Sequence, residues 1–214
     1  EHIFGLMNGL TKKIFESYSH TIKGEWQRPT GNEIMGKRLG VVGMGRIGKE
    51  VIKRANVFGM ECQAFDVFWD SEFADAYSVH KCGDVGELFA NSDVISFNCF
   101  LDENTTNLVN AESIAGMKDG VVIINCARGE IVNTGDIVDA LHSGKVGGYG
   151  ADVLDVEPPP ADHPLFSTPN TAITTHIGSR TYESVVRQAT KATQNLVNYV
   201  NGEPPVAQAN VIPE

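Results

Sequence analysis

The sequence predicts an α/β fold built on a doubly wound parallel sheet, and three observations predict it. Short apolar runs bounded by glycine or polar turns alternate with amphipathic segments, as strands and helices do in βαβ units. The run at residues 39–42 passes into Gly43-Met44-Gly45-Arg46-Ile47-Gly48, a G-x-G-x-x-G turn that opens a helical pattern. Asp66 then stands 18 residues beyond Gly48, at the end of the next apolar run.

Taken in order, Ile3, Leu6, Met7, Leu10 and Ile14 recur at helical spacing and predict one leading amphipathic helix, from Glu1 to about Ser19. Residues 23–38 carry no period, and Gly24, Pro29 and Gly31 mark a connecting loop. Strands are predicted at residues 39–42, 62–65 and 94–97. The β-branched run at 121–124 suits a strand covered on both faces. Ile47, Val51, Ile52, Ala55 and Phe58 define the helix after the glycine turn. A second helix covers 134–143, with Gly144 as its stop signal. Short strands at 149–153 and 172–175 precede a final amphipathic helix bearing Val185, Val186, Ala189, Ala192, Leu196, Val197 and Val200. The expected organisation is a leading helix at 1–22 making an interdomain or dimer contact, a dinucleotide-binding domain at 23–200, and a tail at 201–214.

The glycine turn has a specific chemistry. Gly43 permits the tight turn, Gly45 lets backbone approach a pyrophosphate, and Gly48 allows helix and strand to pack closely. The helix N-terminus then offers unpaired N–H groups to the anion. Asp66 can accept hydrogen bonds from ribose hydroxyls and repels a 2′-phosphate, which favours NAD over NADP. Arg46 either contacts phosphate or stands in solvent.

Composition bounds the rest. The 214 residues carry a formal net charge of −10 with no basic cluster, which argues against nucleic acid or an anionic membrane as partner. No apolar run approaches the ~20 residues needed to span a bilayer. Cys62, Cys82, Cys99 and Cys126 are widely spaced with no CxxC pair, so free thiols in a reducing, cytoplasmic setting are expected. No spacing of His, Cys and acid predicts a metal site. His2, His20, His80, His142 and His163 are assigned structural roles. The chain opens on Glu1 without a signal-like stretch, and a lost targeting segment stays open.

Three further blocks each follow an apolar run: Asn125-Cys126-Ala127-Arg128-Gly129, Ala151-Asp152-Val153 through Glu157, and Thr175-His176-Ile177-Gly178. In a parallel sheet the C-terminal strand ends share one rim, so Arg128, Asp152, Glu157 and His176 can converge there. Through these blocks, and through Gly150-Ala151-Asp152-Val153-Leu154-Asp155-Val156-Glu157-Pro158, the chain resembles the cofactor domain of the D-isomer-specific 2-hydroxyacid dehydrogenases. That family includes the D-lactate, hydroxypyruvate and 3-phosphoglycerate dehydrogenases.

The resemblance implies an NAD-dependent oxidoreductase that moves a hydride between nicotinamide and a D-2-hydroxy acid or 2-keto acid. It makes Arg128, Glu157 and His176 catalytic. Arg128 would clamp the carboxylate with its planar fork, His176 would be the acid/base, and Glu157 would orient the imidazole. The cofactor-binding set becomes Gly43, Gly45, Arg46, Ile47, Gly48, Asp66, Cys126, Ala127, Asp152, His176 and Gly178, with Asp152 on the carboxamide. A homodimer is implied, with the leading helix at the contact or covered within its own subunit.

The chain also departs from the pattern. Relatives carry a separate substrate domain built mostly from an N-terminal segment of roughly one hundred residues, a usual domain size. Most of that domain is expected to be missing here, leaving a poorly active fragment whose tail runs back toward it. Asn98-Cys99-Phe100 stands where a proline is usual, near the adenine side, and Arg180 stands where a small residue is usual. Glu157 argues against formate dehydrogenases, which carry Gln there. Two other functions fit the same residues: an NAD-sensing interaction module like the C-terminal-binding corepressors, and an oxyanion dehydrogenase of the phosphite type.

Overall fold

The structure is a computed structural model that describes residues 1–207, in two units: Glu1–His176, and a second from Ile177 onward. The first unit opens with α1 (His2–Thr11) and α2 (Ile14–Thr21). The sequence predicts one helix here, and the structure has two. Lys13 adopts a left-handed conformation with φ 57°, which no continuing helix tolerates. Local periodicity does not register a one-residue break.

The sheet is formed by β1 (Arg38–Val42), β2 (Glu61–Phe65), β3 (His80–Lys81), β4 (Val94–Phe97), β5 (Val121–Asn125), β6 (Val146–Ala151) and β7 (Thr171–Ile173). All pairings are parallel, in the order β3-β2-β1-β4-β5-β6-β7. The order reverses between β1 and β4, which opens a crevice beyond their C-terminal ends. Helices α3 (Arg46–Val57), α4 (Ser71–Ala76), α5 (Val85–Asn91), α6 (Ala111–Ala115) and α7 (Thr134–Ser143) are interleaved between the strands. The predicted doubly wound α/β fold is the fold observed.

Every predicted strand exists, but β6 begins at Val146 rather than residue 149. Gly147, Gly148 and Gly150 hid its start, since glycine weakens a strand pattern. They are there for close approach. A Cβ on Gly147 would lie 2.5 Å from Gly120 O, and one on Gly150 would lie 3.1 Å from Leu6 Cβ. α7 spans the predicted residues and stops at Gly144, φ 80°. The helices that periodicity missed, α4, α5 and α6, are too short to show a period. Their N-caps define them instead: Asp70, Asp84 and Asn110 accept the N–H of Phe73, Glu87 and Ser113.

Two apolar clusters lie in this unit. One gathers Leu88, Ile95, Phe97, Ile123, Ile137 and Tyr149; the other gathers Leu39, Val41, Ile52 and Ala64 with Ile3, Phe4, Leu6 and Met7 of α1. The stripe of α1 is therefore covered by its own chain, on β5, β6 and β7. Each such side chain contributes about 1.5–3 kcal/mol of burial. The exposed apolar surface begins later, at Ile14, Tyr18, Ile22 and Trp26.

The second unit contains α8 (Tyr182–Val200), matching the predicted final helix, with Thr181 Oγ1 capping Ser184 N–H. Asn195 Nδ2 donates to Ala207 O at 2.8 Å, so the start of the expected tail folds back on α8. Its remainder, 208–214, lies outside the described residues. Among the described residues no helix is long and apolar enough to cross a membrane.

Candidate functional site

The glycine turn leaves the C-terminal end of β1 and becomes the first turn of α3. Gly43 has φ +92°, and a Cβ there would lie 2.8 Å from the backbone of Asn98 and Cys99 after β4. Glycine is required on both counts. A Cβ on Gly48 would meet Gly43 O at 2.1 Å, so helix and strand touch backbone to backbone. At Gly45, in contrast, a Cβ would meet nothing within 4 Å, and this residue forms the N-cap of α3 without any capping side chain. The helix N-terminus thus opens on empty space bounded by N–H groups, a fit for a diphosphate. The side chains of Arg46 and Ile47 are exposed in that first turn.

Asp66 sits just past β2, beside this turn. Its Oδ2 accepts Met44 N–H at 2.5 Å and its Oδ1 accepts Phe68 N–H at 2.8 Å. Those bonds fix the carboxylate and leave lone pairs for a sugar diol. Asn98, just past β4 in the Asn98-Cys99-Phe100 stretch, donates from Nδ2 to Ser96 O and Oγ at 3.1 Å each, while its buried Oδ1 has no protein partner.

The other predicted residues occupy the adjoining C-terminal ends of β5, β6 and β7. Beyond β5, Asn125 Nδ2 donates to Arg128 O at 2.8 Å and Oδ1 accepts Ala127 N–H at 3.0 Å. This closes the 125–128 loop and presents Arg128 as an exposed side chain, whose Nη1 reaches Ala127 O. The half-buried Cys126 thiol is pushed up to about 12 by burial, with the Asp152 charge adding to the effect, so it stays protonated and unreactive. Gly129 presses the loop onto the next one: a Cβ there would lie 1.9 Å from Leu154 C.

Beyond β6, Asp152 is buried at 3% exposure. Thr174 Oγ1 donates to its Oδ1 at 2.5 Å, and His2 Nε2 lies 3.3 Å from that oxygen and 2.8 Å from Thr174 Oγ1. Nothing in the sequence announces that His2, at the start of α1, reaches a carboxylate 150 positions away. Beyond β7, His176 has φ +55°, a conformation costing roughly 1–3 kcal/mol for a residue with a side chain. It is held there by His176 N–H donating to Asp152 O at 2.8 Å. The imidazole Nδ1 is 2.8 Å from Glu157 Oε2, and Glu157 Oε1 accepts Leu154 N–H at 3.1 Å.

Burial raises the Glu157 carboxyl. The His176 hydrogen bond, the Leu154 N–H and the His176 charge outweigh burial, and the net direction is below the ordinary glutamate range. Glu157 is therefore an anion at neutral pH, and it accepts a proton-bearing Nδ1. His163, also assigned a structural role, is buried against Asp155 at 3.0 Å, which suits that assignment. Gly178 and Arg180 belong to the second unit, where Arg180 N–H donates to Ile177 O. The structure thus brings Glu157 and His176 into contact, sets Asp152 beside them through the backbone, and puts Arg128 on the neighbouring strand end.

A bare helix N-terminus at a topological switch point, a fixed acid beside it, and an acid–imidazole pair on the same rim define a dinucleotide-binding domain of an oxidoreductase type. Comparison with known proteins narrows the class. Residues 4–178 match the family model described as D-isomer specific 2-hydroxyacid dehydrogenase, NAD binding domain, and the chain belongs to that family. It is 35% identical over 213 residues to the D-3-phosphoglycerate dehydrogenase of Bacillus subtilis, covering 99% of this chain and 40% of that protein. With the hydroxypyruvate reductase of Thermotoga maritima it shares 39% over 188 residues, covering 86% of this chain and 60% of the relative.

Among solved structures, apo D-lactate dehydrogenase from Escherichia coli superposes with a TM-score of 0.89 at 31% identity, over 98% of this chain and 66% of the other. D-lactate dehydrogenase with NAD+ from Lactobacillus jensenii gives 0.88 at 27%, over 98% and 67%. The chain spans about two fifths of the length of the phosphoglycerate dehydrogenases it matches. Its cofactor is NAD.

Proposed function

We propose that the intact protein is an NAD-dependent D-2-hydroxyacid dehydrogenase in which His176 is the acid/base and Arg128 holds the substrate carboxylate. The observation that carries this is the His176–Glu157 pair, 2.8 Å apart beside the buried Asp152. With Nδ1 engaged by an ionised Glu157, the proton available for transfer is the one on Nε2. In the reducing direction that proton passes to the keto oxygen, and in the oxidising direction the imidazole takes it from the hydroxyl. Bound NADH supplies the hydride. Arg128 offers the carboxylate two parallel N–H bonds, which fixes the substrate and draws charge toward the reacting carbonyl.

Gly43, Gly45 and Gly48 would cradle the pyrophosphate with Arg46 and Ile47 in the first turn, and Asp66 would hold the ribose. Cys126, Ala127, Asp152 and His176 would line the nicotinamide end, and the resemblance adds Gly178 of the second unit to the cofactor-binding set. Asp152, pinned by Thr174 and His2, is stiff enough to select one face of the ring. The 1–22, 23–200 and 201–214 division of the chain belongs to this proposal. So does poor turnover by these 214 residues alone, because closure of two domains excludes water and completes the site.

The same proposal makes the protein a cytoplasmic homodimer. The four free cysteines support a reducing compartment. The exposed Ile14, Tyr18, Ile22 and Trp26 supply an apolar surface for a second copy.

The test is NADH oxidation by the intact protein with glyoxylate, hydroxypyruvate, pyruvate and phosphohydroxypyruvate. Turnover of at least one is expected, and His176→Gln should lower kcat by roughly 10²–10⁴-fold with NADH binding retained. NADH binding with no turnover of any such keto acid would sink the enzyme and leave an NAD-sensing module.

A further inference from the structure

We propose that His80, Cys82 and Glu87 form a binding site for a borderline-soft divalent cation of the zinc class. The imidazole, the thiol and one carboxylate oxygen lie within 4.8 Å of one another, with His80 Nε2 3.6 Å from Glu87 Oε1. This set is the one such cluster of three donors found among the described residues. The sequence spacing H-x-C-x4-E matches no familiar metal pattern, which is why no site was expected there.

The fold creates the cluster. Residues two apart on extended backbone share a face, and Cys82, one residue past β3, continues its ladder by donating N–H to Ala64 O at 2.9 Å, so His80 and Cys82 turn the same way and Lys81 the other. Lys81 Nζ sits 5.3 Å over the Trp69 ring, away from the donors. The chain then turns through Gly83 into α5 and brings Glu87 back. Glu87 Oε2 accepts Gly83 N–H at 2.6 Å, which orients the carboxylate and leaves Oε1 toward His80. Cys82 is 1% exposed, while His80 and Glu87 are exposed. The three donors therefore approach a cation from below and from two sides.

A second observation concerns the remaining coordination position. His80 and Glu87 line a cavity of about 650 Å³ whose other walls include Arg38, Asn56, Glu61 and Asn91. Solvent or a small ligand can reach a cation from there, the open position of a three-ligand site. The nearby cation Arg38 is engaged by Glu61 at 2.8 Å and so competes little.

Donor chemistry selects the ion. A thiolate and an imidazole exclude magnesium and calcium, which take oxygen ligands, and suit zinc-type cations. One thiolate and one carboxylate balance a 2+ charge. Coordination replaces the Cys82 thiol proton, which leaves to solvent. Tetrahedral ligands around zinc stand roughly 3.3–3.6 Å apart, given bond lengths near 2.0–2.3 Å. His80 and Glu87 already stand at that spacing, and no donor pair is more than 4.8 Å apart, so the closure needed is at most about 1.5 Å, within reach of side-chain rotation at the two exposed residues. The donors stand at the sheet edge, His80 pairing with Gln63 of β2, so they lie two strands away from the β1 end that carries the glycine turn.

The experiment uses the intact protein, stripped with a chelator and titrated with zinc and with cobalt(II). One ion per chain should bind, and the cobalt form should show a thiolate-to-cobalt charge-transfer band. His80→Ala and Glu87→Gln, at exposed positions, should each weaken binding at least tenfold while leaving thermal unfolding of the metal-free protein unchanged. Cys82→Ser should abolish the band. Should that buried variant not fold, the two exposed variants decide alone. Absence of stoichiometric binding would reduce the cluster to a surface ion pair and overturn the proposal. Binding indifferent to His80 and Glu87, or a band that follows Cys62→Ser instead, would overturn it equally.

Discussion

Gly129→Ala is the substitution that best tests how this rim is assembled. A methyl group at Gly129 would stand 1.9 Å from Leu154 C, 2.1 Å from Leu154 O and 2.4 Å from Asp155 N. Real Cβ contacts are not found below about 3 Å, and ordinary contact begins near 3.5 Å. The Arg128 loop and the 152–157 loop must therefore separate by roughly 1–1.5 Å, the difference between those limits and the built contact. Both sides are backbone, so no flexible side chain can absorb the shift. Overpacking of this kind costs about 1–3 kcal/mol. For a chain of this size that lowers Tm by roughly 2–12 °C.

The functional loss should be larger. Arg128 sits on one side of the contact and Glu157 with His176 on the other, so the carboxylate clamp moves relative to the proton donor. A misplacement of about 1 Å costs on the order of 10²-fold in turnover. Gly129 follows β5, with β4 between it and the strand ends that carry the glycine turn and Asp66, so the pyrophosphate and ribose contacts should persist and NADH affinity should fall less than kcat/KM. The assays are thermal unfolding, NADH fluorescence titration and steady-state reduction of the best keto acid by the intact protein. A variant with Tm within about 1 °C of the parent and kcat/KM within about twofold would refute the packing reasoning.

Gly45→Ala should behave in the opposite way: the added methyl meets no protein atom, so Tm should hold, yet it occupies the space before the α3 N-terminus and should weaken NADH binding at least tenfold. Unchanged affinity by titration would move the diphosphate elsewhere. Asp66→Ala should cut the preference for NADH over NADPH by about 10–100-fold, the worth of a charge-assisted hydrogen bond of roughly 1.5–3 kcal/mol; equal loss for both cofactors in a binding competition would contradict it. Asp155 bears on pH. Burial raises its carboxyl, but the His163 and Thr134 hydrogen bonds and the His163 charge outweigh burial and hold it below the usual aspartate range. A depressed carboxyl contributes stability that is present above the unfolded value, near 3.8, and lost as pH falls through the lower folded one. The Tm gap between the parent and Asp155→Asn should therefore be full near neutrality and close on acidification; a gap that widens in acid would reverse the sign.

Much of this was legible in one dimension because its causes are local. Strand and helix periods span a few residues, and Gly43, Gly45 and Gly48 serve one tight turn, the space before it and the helix packed behind it, all within six residues, so the order of βα units and the phosphate loop follow from the sequence directly. Gly144 as a helix stop and the helix before it came out as predicted for the same reason. The blocks around Arg128, Asp152, Glu157 and His176 were readable as chemistry, and strand order put them on neighbouring ends of one sheet.

What the sequence alone did not determine lies where distant segments meet. The break at Lys13 is one left-handed residue inside an unbroken helical period, and the start of β6 is masked by glycines that exist to let α1 and the 118–120 turn come close. Which oxygen of Glu157 holds His176, and that His2 and Thr174 hold Asp152, depend on contacts up to 172 positions apart. The cluster of His80, Cys82 and Glu87 needs a strand to align two donors and a turn to return the third. Propensity, spacing and caps act within a few residues of chain, whereas side-chain partners across a sheet are chosen by three-dimensional packing; the first are written in order along the sequence, and the second exist only once it has folded.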